Sequence, residues 1–172
     1  KHCNENNIYP LIEAIKENQQ LDYIVTYPNA DGGGKEIIEQ WESIAHLDNV
    51  RIVPSLGFDR YLSLMELVDC VIGNSSSGII EAPSFNATTV NIGSRQSGRP
   101  KASSIIDVDM SKVRISEAIV KSSDSLFKES LRGTINPYGE GGAAAKIVEL
   151  LSKIDFKLFK LKKFMDVGIN EK

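Results

Sequence analysis

The sequence predicts an α/β protein, a Rossmann-like parallel sheet with helices on both faces. Short β-branched apolar runs alternate along the chain with segments whose apolar residues recur at helical spacing. Strands so short and apolar are buried on both faces, which calls for parallel pairing through right-handed helical crossovers. Glycine- and serine-containing loops follow the strands, at the edge where open α/β sheets bind ligands.

The elements follow in order. Ile8 to Asn18 places Ile8, Leu11, Ile12 and Ile15 on one face of a helix, with Pro10 tolerated in its first turn. Tyr23 to Tyr27 reads as a strand stopped by Pro28, and a glycine loop from Asn29 to Gly34 leads into a helix over Lys35 to His46. Its apolar stripe is Ile37, Ile38, Trp41 and Ile44. Val50 to Val53 is the next strand, Phe58 to Val68 a helix, and Cys70 to Ile72 a buried strand. A short helix over Gly78 to Phe85, a strand over Thr88 to Ile92 and a last strand over Ile105 to Val108 complete the sheet. Helices are expected over Ser111 to Lys121, Ser123 to Leu131 and Gly141 to Ile154. In the tail, Lys157 to Lys163 alternates lysines with Leu158, Phe159 and Leu161, which suits a terminal helix packing on a neighbouring domain better than a membrane-surface or partner-binding helix.

Composition bounds the function. With 172 residues, 41% hydrophobic and 25% charged, the chain is that of an ordinary globular protein with one core. A formal net charge of −3 argues against a nucleic-acid partner, which needs a concentrated basic surface. No apolar run approaches the roughly 20 residues that span a bilayer and no signal-peptide pattern opens the chain, so no membrane partner and a cytoplasmic location are expected. Cys3 and Cys70 are expected to be reduced structural thiols, and His2 and His46 without a Cys/His cluster give no support to a metal site. The chain opens at Lys1 in a polar segment without methionine, from which an excised domain is expected.

The chemistry gathers in Gly73-Asn74-Ser75-Ser76-Ser77-Gly78 and in Gly93-Ser94-Arg95-Gln96-Ser97-Gly98-Arg99. The first stands where a strand gives way to a helix, a setting in which backbone N–H groups and serine hydroxyls attract an anion while Gly73 and Gly78 admit its close approach. Serines there also cap helices, but consecutive hydroxyls exceed what one cap needs. A serine nucleophile is disfavoured, because the Gly-Xaa-Ser-Xaa-Gly spacing is missing and neither histidine has a matching acid. Glu81, expected on the first turn of the helix, either accepts from ligand hydroxyls such as a ribose diol or complements the helix dipole. Arg95 and Arg99 either grip a diphosphate as fork donors or are solvated loop residues. The glycines of the Asn29 to Gly34 loop are explained equally by turn-making or by a close ligand, and the Gly139-Glu140-Gly141-Gly142 turn repeats this phosphate-friendly arrangement, so that three glycine-containing helix entrances expected in one cleft suggest a nucleotide sugar more than a lone anion.

Four segments carry a resemblance: Tyr27-Pro28-Asn29-Ala30-Asp31, Gly73 to Glu81, Val90 to Arg99, and Asn136-Pro137-Tyr138-Gly139-Glu140-Gly141. In this order they resemble the UDP-N-acetylglucosamine 2-epimerases, and Arg95-Gln96-Xaa-Gly98-Arg99 looks like the hydrolysing branch that starts sialic and related nonulosonic acid synthesis. The resemblance implies the C-terminal half of a two-domain, glycosyltransferase-B-like fold, with residues 1–155 forming the UDP-binding domain. Residues 156–172 would then be a tail or helix lying on the N-terminal domain of the same enzyme. It implies that Ser75 and Ser76 bind the diphosphate, Glu81 the ribose hydroxyls, Arg95 the phosphates or the closed cleft, and the backbone near Leu56 the uracil. Asn29 would line the sugar-nucleotide cleft, with Arg99 matching the motif. In such enzymes the proton at sugar C2 is removed and UDP expelled to leave a glycal, whose hydration gives N-acetylmannosamine. The carboxylates that move protons, and a functional histidine, are implied upstream of Lys1, so no catalytic residue is assigned within the chain. Neither cofactor nor metal is called for, and the full enzyme is expected to be a homo-oligomer. A sugar transferase of the same architecture and a non-catalytic nucleotide-binding module are the competing readings.

Overall fold

The computed structural model describes residues 7–28 and 33–156. The expected tail at Lys157 to Lys163 and the candidate Asn29 lie outside them, as do Cys3 and His2. The chain divides into two compact units, Lys1–Gly139 and Glu140–Lys172.

The first unit is α/β with parallel strands. Its elements run α1 (Tyr9–Glu17), β1 (Tyr23–Thr26), α2 (Gly34–Glu42), β2 (Val50–Val53), α3 (Gly57–Leu67), β3 (Cys70–Gly73), α4 (Ser77–Ile80), a 3₁₀ helix (Ala82–Phe85), β4 (Thr88–Ile92), β5 (Ile105–Val108), α5 (Lys112–Ser123) and α6 (Ser125–Ser130). The second unit holds α7 (Ala143–Lys153).

The hydrogen-bonded ladders form two pieces. Strand β1 pairs with β2 in parallel, Tyr23 opposite Val50, while β4 lies between β3 and β5, also in parallel, with Val90 opposite both Ile72 and Ile106. One core nevertheless serves both pieces: Val25 and Val50 cluster with Val90 and Ile92 under α1 (Leu11, Ile12, Ile15) and α5 (Ile115, Ile119).

The central strand shows why the sheet is covered on both sides. Every residue of β4 is buried. Val90 and Ile92 belong to the core beneath α1 and α5, whereas Thr89 meets α4 on the opposite face. In β3, Cys70 and Ile72 pack on that same core while Val71 joins a second, smaller cluster of Met65, Ala82 and Ala87. This alternation is the period of two that a pleated strand imposes.

The helix after β3 differs from the expectation. A single helix over Gly78 to Phe85 is replaced by the α-turn Ser77–Ile80 and the 3₁₀ turn Ala82–Phe85, with Glu81 at their junction. Pro83 is the cause. It has no N–H to continue the α-helical ladder and disfavours helical backbone at the residue before it.

Candidate functional site

The carboxyl ends of β1 and β2 open onto a cavity of about 360 Å³, lined by Thr26, Tyr27, Pro54, Ser55, Leu56, Gly57, Phe58 and Tyr61. Leu56, a predicted site residue, is the N-cap of α3, and the positive φ of +67° at Gly57 lets the chain turn there into the helix. A second cavity of about 270 Å³ is lined by Phe58, Leu62, Ile80, Glu81, Ser84, Phe85, Asn136, Tyr138 and Gly139. Phe58 belongs to both walls and is 73% exposed, a large apolar surface left in solvent between two cavities.

Glu81 thus lines the second cavity, at the junction of α4 and the 3₁₀ turn rather than on the first turn of a single helix. It is at once the C-cap of α4 and the N-cap of the 3₁₀ turn Ala82–Phe85, and it makes no side-chain capping bond at the latter. Asn136, 8% exposed, closes the floor of the same cavity: its Nδ2 donates to Ile80 O at 2.8 Å and to Ser84 Oγ at 2.7 Å, and its Oδ1 accepts from Tyr138 N–H at 3.0 Å.

The serines after β3 differ in exposure and partners. Ser75 and Ser76 are exposed, and Ser76, the N-cap of α4, makes no side-chain capping bond. Ser75 Oγ accepts from Ser77 N–H at 3.3 Å. Ser77 Oγ instead donates to the Glu81 carboxylate. Gly73 takes a positive φ of +147° with open space where a Cβ would stand, whereas a Cβ on Gly78 would lie 2.8 Å from Thr89 Cγ2. Gly78 therefore admits a strand rather than a ligand, correcting the expectation for that glycine.

Arg95 and Arg99 are exposed in the loop that leaves β4. Between them Gln96 is 3% exposed, and its Nε2 donates to Asn74 O at 2.7 Å, tying the arginine loop to the serine loop. The base of the arginine loop is fixed as well: Asn91 Nδ2 donates to Asp107 Oδ1 at 2.6 Å and Lys101 Nζ pairs with both Asp107 oxygens at 2.7 Å. Burial pushes the Asp107 carboxyl up, but the hydrogen bonds from Lys101 and Asn91 and the Lys101 charge outweigh it and hold the group below its ordinary 3.8.

The predicted residues therefore fall in two places. Leu56 and Glu81 line the cavities joined by Phe58; Ser75, Ser76, Arg95 and Arg99 lie on two loops joined by Gln96. Phe58, Tyr61, Ser77, Gln96 and Asn136 carry parts of the site that sequence reasoning left without roles. The spacing of Ser77 and Glu81, one helical turn apart, was a usable signal; the Asn136-Pro137 pair marked a turn. Among the described residues no group of three or more His, Cys, Asp or Glu is arranged to hold a metal, and no helix is long and apolar enough to cross a membrane.

Comparison with known proteins bears on this geometry. The family described as UDP-N-acetylglucosamine 2-epimerase matches residues 1–152. A UDP-N,N'-diacetylbacillosamine 2-epimerase (hydrolyzing) of Legionella pneumophila is 37% identical over 144 residues, covering 82% of this chain and 36% of the relative. The polysialic acid biosynthesis protein P7 of Escherichia coli is 34% identical over 145 residues, covering 84% of this chain and 37% of its own length. The chain thus spans little more than a third of either relative. Among solved structures, the UDP-GlcNAc 2-epimerase of Neisseria meningitidis bound to UDP-GlcNAc superposes with a TM-score of 0.69 at 19% identity, over 87% of this chain and 40% of that one. What is shared is the α/β fold of parallel strands flanked by helices, over part of a glycosyltransferase-B-like neighbour.

Proposed function

Because the chain belongs to the UDP-N-acetylglucosamine 2-epimerase family, we propose that it is the UDP-binding domain of a hydrolysing member, which converts UDP-N-acetylglucosamine and water to N-acetylmannosamine and UDP. The observation that carries this reading is the pair of cavities that share exposed Phe58, one at the carboxyl ends of β1 and β2 and the other lined by Glu81. A nucleoside has the matching form. Its flat base stacks on an exposed aromatic ring and takes its hydrogen bonds from the backbone near Leu56, while its ribose hydroxyls donate to a carboxylate.

The diphosphate then falls to the two tied loops. Ser75 and Ser76 supply hydroxyl donors, and Arg95 and Arg99 supply guanidinium forks suited to phosphate oxygens. In the reaction, loss of the C2 proton and cleavage of the anomeric C–O bond leave a glycal and place the electron pair on UDP. The work of this domain is electrostatic: preformed donors stabilise the negative charge that gathers on the departing diphosphate. Proton removal and hydration of the glycal belong to carboxylates of the enzyme's N-terminal domain. The hydrolysing assignment is supported by the Arg95-Gln96-Ser97-Gly98-Arg99 loop and by the name of the Legionella relative.

Calorimetric titration of the chain with UDP tests this. Glu81→Ala removes the ribose acceptor and Ser75→Ala a phosphate donor, and each is expected to weaken UDP about tenfold, the size of one charge-assisted hydrogen bond. Unchanged affinity in both variants refutes the placement.

A further inference from the structure

Two hydrogen bonds link the cavities through residues that the roles above leave unused. The Tyr61 hydroxyl, on α3, lies 2.8 Å from Ser77 Oγ, and Ser77 Oγ is bonded to Glu81 Oε2. The direction of both bonds is fixed by chemistry. An ionised carboxylate only accepts, so the single Ser77 proton goes to Glu81, and Tyr61 must donate to Ser77. Both donors are thus committed toward Glu81. All three side chains are half-buried; Tyr61 lines the first cavity and Glu81 the second.

Ser77 has no competing use of its hydroxyl as a helix cap. It is the first residue of α4, and the capping position, Ser76, makes no side-chain bond. The terminal torsion of a glutamate is broad, so an isolated Glu81 carboxylate would sample many orientations. A fixed donor on Oε2 removes that freedom. It leaves the second oxygen and the remaining lone pair in one orientation, ready to accept from two neighbouring hydroxyls.

We propose that Ser77, oriented by Tyr61, is a positioning residue that sets the Glu81 carboxylate for a vicinal diol and makes the site select ribonucleotides over deoxyribonucleotides. This rests on the nucleotide reading above. Ser77 itself need not touch the ligand; it acts through Glu81, and Tyr61 acts through Ser77.

The test compares UDP with 2'-deoxy-UDP on the wild-type chain and on Ser77→Ala, Ser77→Thr and Tyr61→Phe. The wild type is expected to prefer UDP roughly tenfold, the worth of one hydrogen bond to a charged group. Ser77→Ala brings that ratio to about twofold by weakening UDP alone, Ser77→Thr restores it, and Tyr61→Phe falls between. A merely structural serine would weaken both nucleotides alike. Circular dichroism melts check that each variant is folded. UDP binding with a preference unchanged in Ser77→Ala, or an equal loss for both ligands, removes the relay while leaving the nucleotide site standing. Failure of the wild type to bind either nucleotide overturns the nucleotide reading, and ribose selection with it.

Discussion

Gly78→Ala puts the placement of α4 against the sheet to a quantitative test. The added Cβ would stand 2.8 Å from Thr89 Cγ2, 3.5 Å from Thr89 Oγ1 and 3.8 Å from Thr89 Cβ. The backbone is not the obstacle, since Gly78 is absent from the positive-φ residues. Thr89 is 2% exposed, and its Oγ1 donates to Gly78 O at 2.7 Å. Rotating the threonine to move its methyl therefore breaks that bond, leaving buried polar groups unpaired at about 1–3 kcal/mol. Displacing α4 instead costs about 1–3 kcal/mol, the usual range for an overpacked core. The gain in helix propensity from glycine to alanine returns at most ~1 kcal/mol. The net expectation is a loss of about 1–2 kcal/mol, which lowers Tm by roughly 2–8 °C in a chain of this size.

Thr89→Ser supplies the internal control. It deletes Cγ2 and keeps Oγ1, so alone it costs about 1 kcal/mol for the lost buried methyl. In the double variant the alanine methyl occupies the space that Cγ2 vacates, and the Gly78→Ala penalty should largely vanish. A coupling of about 1 kcal/mol or more is expected from the double-mutant cycle. Urea titration followed by Trp41 fluorescence suits the measurement, because the chain has a single tryptophan, buried in the core of the same unit as Gly78. Additive single and double variants would refute the steric account. The same displacement of α4 moves Ser77 and Glu81, so UDP affinity should fall in Gly78→Ala and recover in the double variant.

Two further outcomes follow from titratable groups. Asp107 has a depressed pKa in the folded chain, so the stability it contributes is present above the unfolded value and lost as pH falls through the folded one. Asp107→Asn should flatten part of the acid limb of Tm against pH below about 4, and an acid limb identical to that of the wild type would remove this contribution. Burial, reinforced by the neighbouring Cys70, pushes the Tyr23 hydroxyl up to about 12 from 10.0. A raised value makes its contribution complete below 10.0 and lost as pH rises toward 12, so absorbance at alkaline pH should show a late-ionising tyrosine that Tyr23→Phe removes.

Much of the scaffold was legible because burial and periodicity are local. Val50–Val53, Thr88–Ile92 and Ile105–Val108 have the same bounds in sequence and structure, since each is a β-branched run closed by turn residues. The helix after β3 was less so: a single helix was expected over Gly78 to Phe85, where Pro83 divides the segment into an α-turn and a 3₁₀ turn. The polar wiring of the site was largely hidden. Tyr61 and Ser77 are 16 residues apart and Gln96 and Asn74 are 22 apart, and no periodicity joins them. Hydrophobic period specifies which face of an element is buried; it does not specify which loop carbonyl a buried amide will find.

Gly78 shows the same limit from the side of sterics. A glycine in a phosphate-friendly context announces that a side chain is unwelcome, but its neighbours in sequence do not say what the side chain would strike. Beside an open loop it reads as room for a ligand; against Thr89 on the next strand it is room for the sheet. The two cases make opposite predictions, since alanine facing a ligand weakens binding with stability intact, whereas alanine facing Thr89 weakens folding first and binding only through the displaced α4. In the proposed site, function would therefore depend on a buried contact remote from the ligand: Thr89 bonds to Gly78 in α4, α4 carries Ser77, and Ser77 is bonded to Glu81.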